Sequence, residues 1–425
     1  MGPMRYLKSK LFYFFFLFAI AGNCFSNDLY NLFSKKIFRI RISTDKEADM
    51  VSYGTGFPVS KNGGLVTNFH VIKRYFDEEK NFKIFVDIGD NSYEAKIKNF
   101  DIVNDLALIK INYSFDTIFK VPVFDSDALK GKKIFSLGFP KKLNLSIVDG
   151  LFNGENYLGG NKVFYISSPI NKGMSGGPSV DEEGRLIGVN VSYMRDTNDI
   201  SFIVPSRFVK QLIEAPDEGI FLSSEKDKYF EKIESTLSFE EKKVYPLVKK
   251  SLKSNIFQKI QYLNGSDPMN CWEDKKIDKE LKVEKNLKLC YFGNYSDFLG
   301  DSDTGLFSLK NTFISNNKDS TVATYNVINH FSSHDIDHFY SKELYDKKSC
   351  ENFFTENSNK VKLKISSCVS KYRFMKNIFN GHLVLTTLNE SSDNLITKVK
   401  LKGLSKKTIN ELFNLIIQGI NLNEN

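Results

Sequence analysis

The chain has 425 residues and a formal net charge of +8, and 26% of its residues are charged. This length allows two or three domains with separate cores. Three cations lie near the start, at Arg5, Lys8 and Lys10, and without them the net charge falls to +5, which is small for a chain of this size. Lysines and acids are interspersed along the rest, so we expect a solvated surface and no nucleic-acid partner.

Residues 1–26 have the pattern of a secretory signal peptide. A basic start is followed by the apolar run Leu11–Ile20, which is shorter than the roughly 20 residues that a membrane-spanning helix needs. Cleavage after Ser26 would leave a mature chain without a transmembrane segment. Residues 21–24 also resemble a lipoprotein signal, and acylation of Cys24 is the alternative. We expect an exported protein, either periplasmic or secreted.

Two predicted strands lie next to residues suited to acid–base chemistry. The strand pattern of residues 64–69 ends beside His70, and Asp105 directly precedes the apolar run Leu106–Ile111. A run that is apolar at nearly every position is typical of a buried strand, which puts the carboxylate at the edge of a core. There it can accept a hydrogen bond from one imidazole nitrogen and hold the other toward a nucleophile. Asp101, slightly earlier in the chain, is predicted to be a solvated turn residue.

A glycine-flanked serine follows in the stretch Gly173–Pro178. The hydroxyl of Ser175 needs a general base nearby before it can act as a nucleophile. The glycines on both sides let the backbone turn tightly and bring two N–H groups toward one point, where a carbonyl oxygen can become an oxyanion. Together with His70 and Asp105 upstream, Ser175 is a candidate member of a catalytic triad.

Five stretches of the chain, in order, resemble the trypsin-like serine proteases, and most closely the HtrA/Deg group. They are Thr67–Val71, Asn104–Ile111, Asp125–Leu129 with Ser136–Pro140, Ile170–Gly177 and Ile200–Ser206. The resemblance covers about residues 44–215. It implies an all-β domain of two six-stranded barrels that hydrolyses peptide bonds through an acyl-enzyme, without a cofactor.

The resemblance also assigns a role to each candidate. Ser175 is the nucleophile, His70 is the general base and then the general acid, and Asp105 orients the histidine. The backbone N–H groups of Gly173 and Ser175 form the oxyanion hole. Met174 stands where digestive relatives have an aspartate that pairs with a newly cut N-terminus, so activation by N-terminal insertion is not expected.

A primary specificity pocket is implied in the same way. Pro169 stands at the position that floors this pocket, and a proline cannot attract a cationic side chain. The strand that contains Asn190, Val191 and Ser192 is expected to line the pocket and to pair with the backbone of a protein or peptide substrate. Because none of these residues is charged, we expect small or medium uncharged residues before the cleaved bond.

The protease domain is predicted over residues 27–215, followed by a linker at 216–225 and a second domain at 226–425. Ser206 is predicted to cap the last helix of the first domain. In the second domain, charged helical segments precede alternating strand patterns and an amphipathic helix after Ser405, which favours an α+β fold with an antiparallel sheet. This domain resembles no known family and has no recognisable PDZ domain. One role that we consider for this domain is to bind a partner in the cell envelope.

Four cysteines lie in the second domain, and an even number suits an oxidising compartment. They are Cys271, Cys290, Cys350 and Cys368, and four cysteines allow three pairings. Proximity in the sequence favours pairing the first with the second and the third with the fourth. Metal binding by these cysteines is disfavoured, because no two of them have CxxC spacing.

Three histidines of the second domain are spaced by four residues, at His330, His334 and His338. On a helix they would share one face and could bind zinc, but their neighbours do not favour a helix, so surface histidines are the preferred interpretation and we expect no metal. The sequence thus predicts an exported serine endopeptidase that acts on unfolded or envelope proteins. The alternatives are an inactive envelope binding protein built on a protease scaffold, and a metal-linked regulatory module beside a working protease.

Overall fold

The computed structural model describes most of the chain that follows residue 29. The described residues are 30–44, 52–76, 82–141, 143–158, 161–193, 200–253, 270–278, 283–293, 307–316, 345–388 and 393–420. The predicted signal peptide and the acylation alternative at Cys24 therefore lie outside the described residues. The same holds for His330, His334 and His338.

The first domain begins with a closed antiparallel barrel of six strands, in the order β1-β2-β3-β6-β5-β4. The strands are β1 (Phe38–Ser43), β2 (Ser52–Ser60), β3 (Gly64–Thr67), β4 (Lys83–Ile88), β5 (Asn91–Asp101) and β6 (Leu106–Lys110). Side chains alternate along β1, because successive residues of a strand face opposite sides. Ile40 and Ile42 are fully buried in the barrel, whereas Arg39 and Arg41 face outward and are half-buried.

A second closed barrel of six antiparallel strands follows, in the order β10-β11-β12-β9-β8-β7. Its strands are β7 (Lys133–Gly138), β8 (Ser146–Leu158), β9 (Asn161–Ile166), β10 (Pro178–Val180), β11 (Leu186–Tyr193) and β12 (Ser201–Pro205). Short helices α1 (Phe69–Ile72) and α2 (Ser126–Leu129) lie in connections, and α3 (Ser206–Glu214) follows β12. The double six-stranded barrel predicted for this domain is confirmed.

The start of α3 differs from the prediction. Pro205 occupies the N-cap position, and no side chain caps the helix there. Ser206 lies inside the first turn, and its hydroxyl donates a hydrogen bond of 2.7 Å to the carbonyl oxygen of Pro122. Ser206 therefore ties the helix to the segment between the barrels instead of capping it.

The segment predicted as a linker, residues 216–225, lies against the first barrel. Phe221 is fully buried, and its N–H donates to the carbonyl oxygen of Ile97 at 2.9 Å. The long helix α4 (Lys226–Lys253) begins directly afterwards and continues through Pro246. Its first half packs on the first barrel and its second half packs on the C-terminal sheet.

The C-terminal domain is one antiparallel sheet of seven strands, in the order β13-β14-β15-β19-β18-β17-β16. The strands are β13 (Asn270–Asp278), β14 (Val283–Phe292), β15 (Phe307–Asn316), β16 (Tyr345–Glu356), β17 (Lys362–Tyr372), β18 (Phe379–Thr387) and β19 (Asp393–Leu404). The terminal helix α5 (Lys406–Gly419) buries its apolar stripe on this sheet, and Ser405 caps it by accepting from the N–H of Thr408 at 3.2 Å. The predicted antiparallel α+β domain is confirmed.

Two disulfides link the two edge strands of this sheet to their neighbouring strands. Cys271 on β13 is bonded to Cys290 on β14, and Cys350 on β16 is bonded to Cys368 on β17. Of the three possible pairings, the structure has the one that proximity favours. Among the described residues, no helix combines the length and the apolar character that a membrane crossing requires.

Candidate active site

The first part of the site is a histidine and an aspartate in direct contact. His70 lies in the single-turn helix α1, and its Nδ1 is 2.6 Å from Oδ2 of Asp105. The backbone N–H of His70 also donates to Oδ1 of the same carboxylate, at 2.8 Å. Because an ionised carboxylate can only accept, Nδ1 carries the proton and the basic lone pair of the imidazole is on Nε2.

Asp105 holds this arrangement with its backbone as well. Its carbonyl oxygen accepts from the N–H of Phe69 at 3.1 Å and from the side-chain amide of Asn68 at 2.8 Å. The residue has φ of 53°, in the left-handed region that aspartate tolerates better than most residues. This turn directs both the carbonyl and the carboxylate of Asp105 toward the start of α1, which fixes the position of His70.

The carboxylate of Asp101 has a different, structural role. Its Oδ1 accepts from the backbone N–H groups of Val103 and Asn104, and its Oδ2 accepts from the Asn104 amide. These contacts close the turn between β5 and β6. Asp101 is therefore a turn residue, and Asp105 is the carboxylate that contacts the histidine.

The loop that carries Ser175 is packed against the strand and turn that lead to His70. The N–H of Thr55 donates to the carbonyl oxygen of Ser175 at 2.8 Å. A Cβ atom at Gly176, where φ is +84°, would lie 2.2 Å from the carbonyl oxygen of Thr55 and 2.9 Å from the backbone nitrogen of Asn68. Only glycine fits there, and its absence of a side chain lets the serine approach α1.

The Ser175 hydroxyl donates to the carbonyl oxygen of Val191 on β11, at 3.5 Å. This contact is long for a hydrogen bond between oxygens. It is therefore weak, and the side chain can leave it at little cost in free energy.

Two backbone N–H groups are directed into the space beside Ser175. The carbonyl oxygen of Lys172 accepts from the N–H of Lys141 at 2.8 Å, and a trans peptide places the following N–H, that of Gly173, on the opposite side. In the described part of the chain, neither Gly173 N nor Ser175 N donates to a protein acceptor. The backbone at Gly173 has φ of +99°, and a Cβ atom there would lie 2.4 Å from the Phe139 carbonyl oxygen. The N–H groups of Gly173 and Ser175 are therefore candidates for binding an acceptor that is not part of the chain.

The residues that the sequence predicts for the specificity pocket differ in how far they are exposed in the structure. Pro169 is exposed and Val191 is half-buried. Asn190 is fully buried, and its amide group donates to the carbonyl oxygen of Leu137 at 2.9 Å and accepts from the hydroxyl of Ser179 at 2.7 Å. Its side chain therefore supports the serine loop from inside the second barrel and does not face a substrate. The side chain of Ser192 lies outside the described residues.

Thr55 is a part of the site that the sequence reasoning passed over. Its hydroxyl donates to the carbonyl oxygen of Gly173 at 2.8 Å and accepts from the N–H of Phe139 at 3.0 Å. Thr55 thus connects the first barrel to the loop that carries the oxyanion donors. Its position between two glycines, Gly54 and Gly56, is the signal that could have singled it out.

No metal site accompanies these groups in the described ranges. Within them, no cluster of three or more histidine, cysteine, aspartate or glutamate side chains could hold a metal ion. The three histidines of the metal alternative are outside those ranges, so that alternative stays a prediction.

Comparison with known proteins identifies the class of the first domain. Residues 54–189 match the family described as trypsin-like peptidase domain. This match agrees with the two closed barrels and with the chain order of His70, Asp105 and Ser175. Over these residues the chain is similar to trypsin-like peptidases.

The curated relatives belong to the HtrA group. The chain is 33% identical over 194 residues to serine protease HTRA1B of Danio rerio, a match that covers 43% of this chain and 37% of that protein. It is 32% identical over 149 residues to the chloroplastic Protease Do-like 1 of Arabidopsis thaliana, covering 33% of each. The crystal structure of Deg5 is 26% identical with a TM-score of 0.38, and covers 45% of this chain and 92% of that one. The chain spans about a third of the length of these two curated relatives.

Proposed function

We propose that the chain is an exported serine endopeptidase in which Ser175, His70 and Asp105 act as a catalytic triad. The observation that carries the proposal is the double contact of the Asp105 carboxylate with the backbone and ring of His70, at 2.8 and 2.6 Å. This contact fixes the tautomer and the direction of the imidazole, which is what a general base next to a serine requires.

The reaction would begin with a rotation of the Ser175 side chain. The hydroxyl leaves the Val191 carbonyl and turns toward Nε2 of His70, since such contacts tighten only when substrate binds. As Oγ bonds to the substrate carbonyl carbon, its proton passes to Nε2 and the carbonyl oxygen becomes an oxyanion. The N–H groups of Gly173 and Ser175 stabilise this oxyanion, and one such donor contributes about 3 kcal/mol in serine proteases.

The second half of the reaction returns the enzyme to its starting state. The C–N bond of the substrate breaks, and the leaving amine takes the proton from His70 while the acyl group stays on Ser175 as an ester. A water molecule then attacks this ester with His70 again as the base, which releases the acid and restores the hydroxyl. No cofactor enters either half.

The alternative of an inactive binding protein has no specific support among the described residues. A scaffold that has lost catalysis has no need of a histidine held at two points or of unbonded N–H groups at Gly173 and Ser175. We therefore assign the hydrolytic role. Export, unfolded or envelope protein substrates, and uncharged residues before the cleaved bond complete the proposal.

Digestion of a reduced and alkylated protein tests this function. We expect the mature chain to cleave it, and the Ser175→Ala variant to lose at least about 10³-fold in rate, because the nucleophile is absent. The control is Ser235→Ala, an exposed serine of α4, which should leave the rate unchanged. Mass spectrometry of the products would locate the cuts. Equal cleavage by the Ser175→Ala variant would contradict the role of Ser175, and cuts mostly after Lys, Arg or Glu would contradict the pocket assignment.

A further inference from the structure

A cleft of about 550 Å³ lies against the outer face of β1. Two arginines of that strand, Arg39 and Arg41, line it together with Phe139 and the turn between β4 and β5. The end of β4 contributes Asp87, and the turn contributes Asp90. We call this cleft the arginine cleft.

The strand register connects the arginine cleft to the oxyanion loop. Arg39 is paired with Thr55 and Arg41 with Tyr53, and directly opposed residues of an antiparallel pair have their side chains on the same face. The hydroxyl of Thr55 donates to the carbonyl oxygen of Gly173, and a Cβ atom at Gly173 would lie 2.7 Å from the Tyr53 ring. The cleft therefore begins where Gly173 borders the first barrel.

The arginine cleft and strand β11 lie on different sides of Ser175. The hydroxyl of Ser175 contacts Val191 on β11, in the second barrel, whereas the carbonyl oxygen of Ser175 contacts Thr55 in the first barrel. If the acyl half of a substrate pairs with β11, as its resemblance to protease strands implies, the half that leaves as the amine extends toward β1. The arginine cleft is then on the leaving-group side of the scissile bond.

Arg41 is already neutralised in this cleft. Its guanidinium forms a two-point ion pair with Asp87, at 2.7 and 2.8 Å. Burial alone would raise the pKa of Asp87, but the hydrogen bonds from Arg41 and Ser92 and the charges of Arg41 and Arg39 outweigh it, so the pKa lies below its usual range. Asp87 is thus ionised at neutral pH, and the pair carries no net charge.

Arg39 is not neutralised among the described residues. Its guanidinium lies over the Phe139 ring, 5.2 Å from the centroid, and Nη2 donates to the carbonyl oxygen of Leu143 at 2.9 Å. Its Nε is buried and has no hydrogen-bond partner within the described ranges. Two exposed lysines, Lys141 and Lys172, flank the same edge of the oxyanion loop, and the described structure gives neither of them an ion pair. Asp90 supplies one negative charge against these three cations.

We propose that the arginine cleft binds a carboxylate from the part of the substrate that follows the cleaved bond. The carboxylate comes either from an acidic side chain or from the C-terminus of the substrate. A guanidinium held over an aromatic ring has a restricted orientation, and its planar set of N–H donors matches the geometry of a carboxylate. This inference rests on the proposed function. It adds a preference for a carboxylate after the cleaved bond, whereas the specificity pocket selects the residue before that bond.

Matched peptides test the inference. Each peptide has the same acyl half, taken from a cut site mapped in the protein digest, and carries Glu, Gln or Lys in the second or third position after the bond. Each is made with a free and with an amidated C-terminus. We expect kcat/KM to be about five- to tenfold higher for Glu than for Gln, lowest for Lys, and the difference to shrink with added salt, because it arises from charge. The free and amidated series distinguish a chain end from a side chain.

Variants identify the residue responsible. In Arg39→Gln the ratio of Glu to Gln peptides should fall to between one and two, and in Arg39→Lys it should keep an intermediate value. The control Lys210→Gln, an exposed lysine of α3, should leave the ratio unchanged. If the peptides are cleaved with equal kcat/KM for Glu and Gln, and also with equal kcat/KM for free and amidated C-termini, this inference alone is overturned. Failure to cleave every peptide overturns the proposed function and this inference with it.

Discussion

Replacement of Asp105 by asparagine is expected to lower kcat/KM by about 10⁴-fold, as loss of this carboxylate does in serine proteases with the same triad. The carboxylate accepts from both the backbone N–H and Nδ1 of His70. An asparagine can keep the first contact, but its amide favours the imidazole tautomer with the proton on Nε2. In that tautomer Nε2 of the histidine has no lone pair to accept the proton of Ser175. Initial rates of peptide hydrolysis across pH measure the effect.

Asp101 provides a matched control for this substitution. It is also a half-buried aspartate of the same connection, but its carboxylate closes a turn. Asp101→Asn keeps an oxygen for the two backbone N–H groups, so we expect kcat/KM to fall by less than about threefold, the scale of one weakened hydrogen bond. Similar losses in the two variants would mean that the connection as a whole, and not Asp105, supports activity.

The second large effect is expected on stability, from Tyr229→Ala. Tyr229 belongs to α4 but is fully buried against the first barrel. The centroid of its ring lies 3.6 Å from that of Phe76 and 5.4 Å from that of Phe100. Phe100 in turn stacks on Phe69, the residue before His70. Removal of a buried aromatic ring costs about 3–5 kcal/mol, because it leaves a cavity. We expect this loss in the free energy of unfolding of the first barrel.

The measurement must report on the barrel. The single tryptophan, Trp272, lies in the C-terminal sheet, so its fluorescence reports on that sheet. Residual peptide hydrolysis after incubation in urea is the better measure, and its midpoint should fall in Tyr229→Ala. Phe239→Ala is the control, because Phe239 lies on the same helix and is 59% exposed. A midpoint that changes equally in both variants would mean that α4 does not stabilise the barrel through Tyr229.

The contact of α4 with the first barrel also bears on how the two domains are related. Ile97, Phe76 and Phe100 of the barrel share one apolar cluster with Phe221 and Tyr229. A fragment that ends before α4 would expose these aromatic side chains to water. The second domain is therefore attached through part of the core of the protease domain, next to the turn that carries His70.

The resemblance to trypsin-like proteases predicted the two barrels, and short motifs predicted the partners in the candidate active site because each motif depends on few residues. Asp105 could be chosen over Asp101 because it directly precedes an apolar strand. The two disulfides follow from closeness in the sequence, since each joins neighbouring strands of the sheet. The amphipathic helix after Ser405 was also predictable, because its apolar stripe is a local pattern.

Features that depend on contacts between distant segments were not predictable in this way. Asn190 was expected to contact substrate, but its amide is hydrogen-bonded to Leu137 and Ser179, which only the closed barrel brings near. Ser206 was expected to cap a helix, but a distant carbonyl at Pro122 takes its hydroxyl. The burial of Tyr229 depends on the packing of α4 against Phe76, far from it in the sequence. Each of these outcomes was decided by tertiary packing, which no local pattern records.

Labelling of the mature chain with a fluorophosphonate tests the central claim most directly. This reagent phosphonylates a serine only where a general base activates the hydroxyl and an oxyanion hole stabilises the product. We expect one adduct, located on Ser175 by mass spectrometry, which is absent from Ser175→Ala and greatly slowed in Asp105→Asn. An unlabelled Ser175 in a folded chain, or an adduct that persists in Ser175→Ala, would contradict the account.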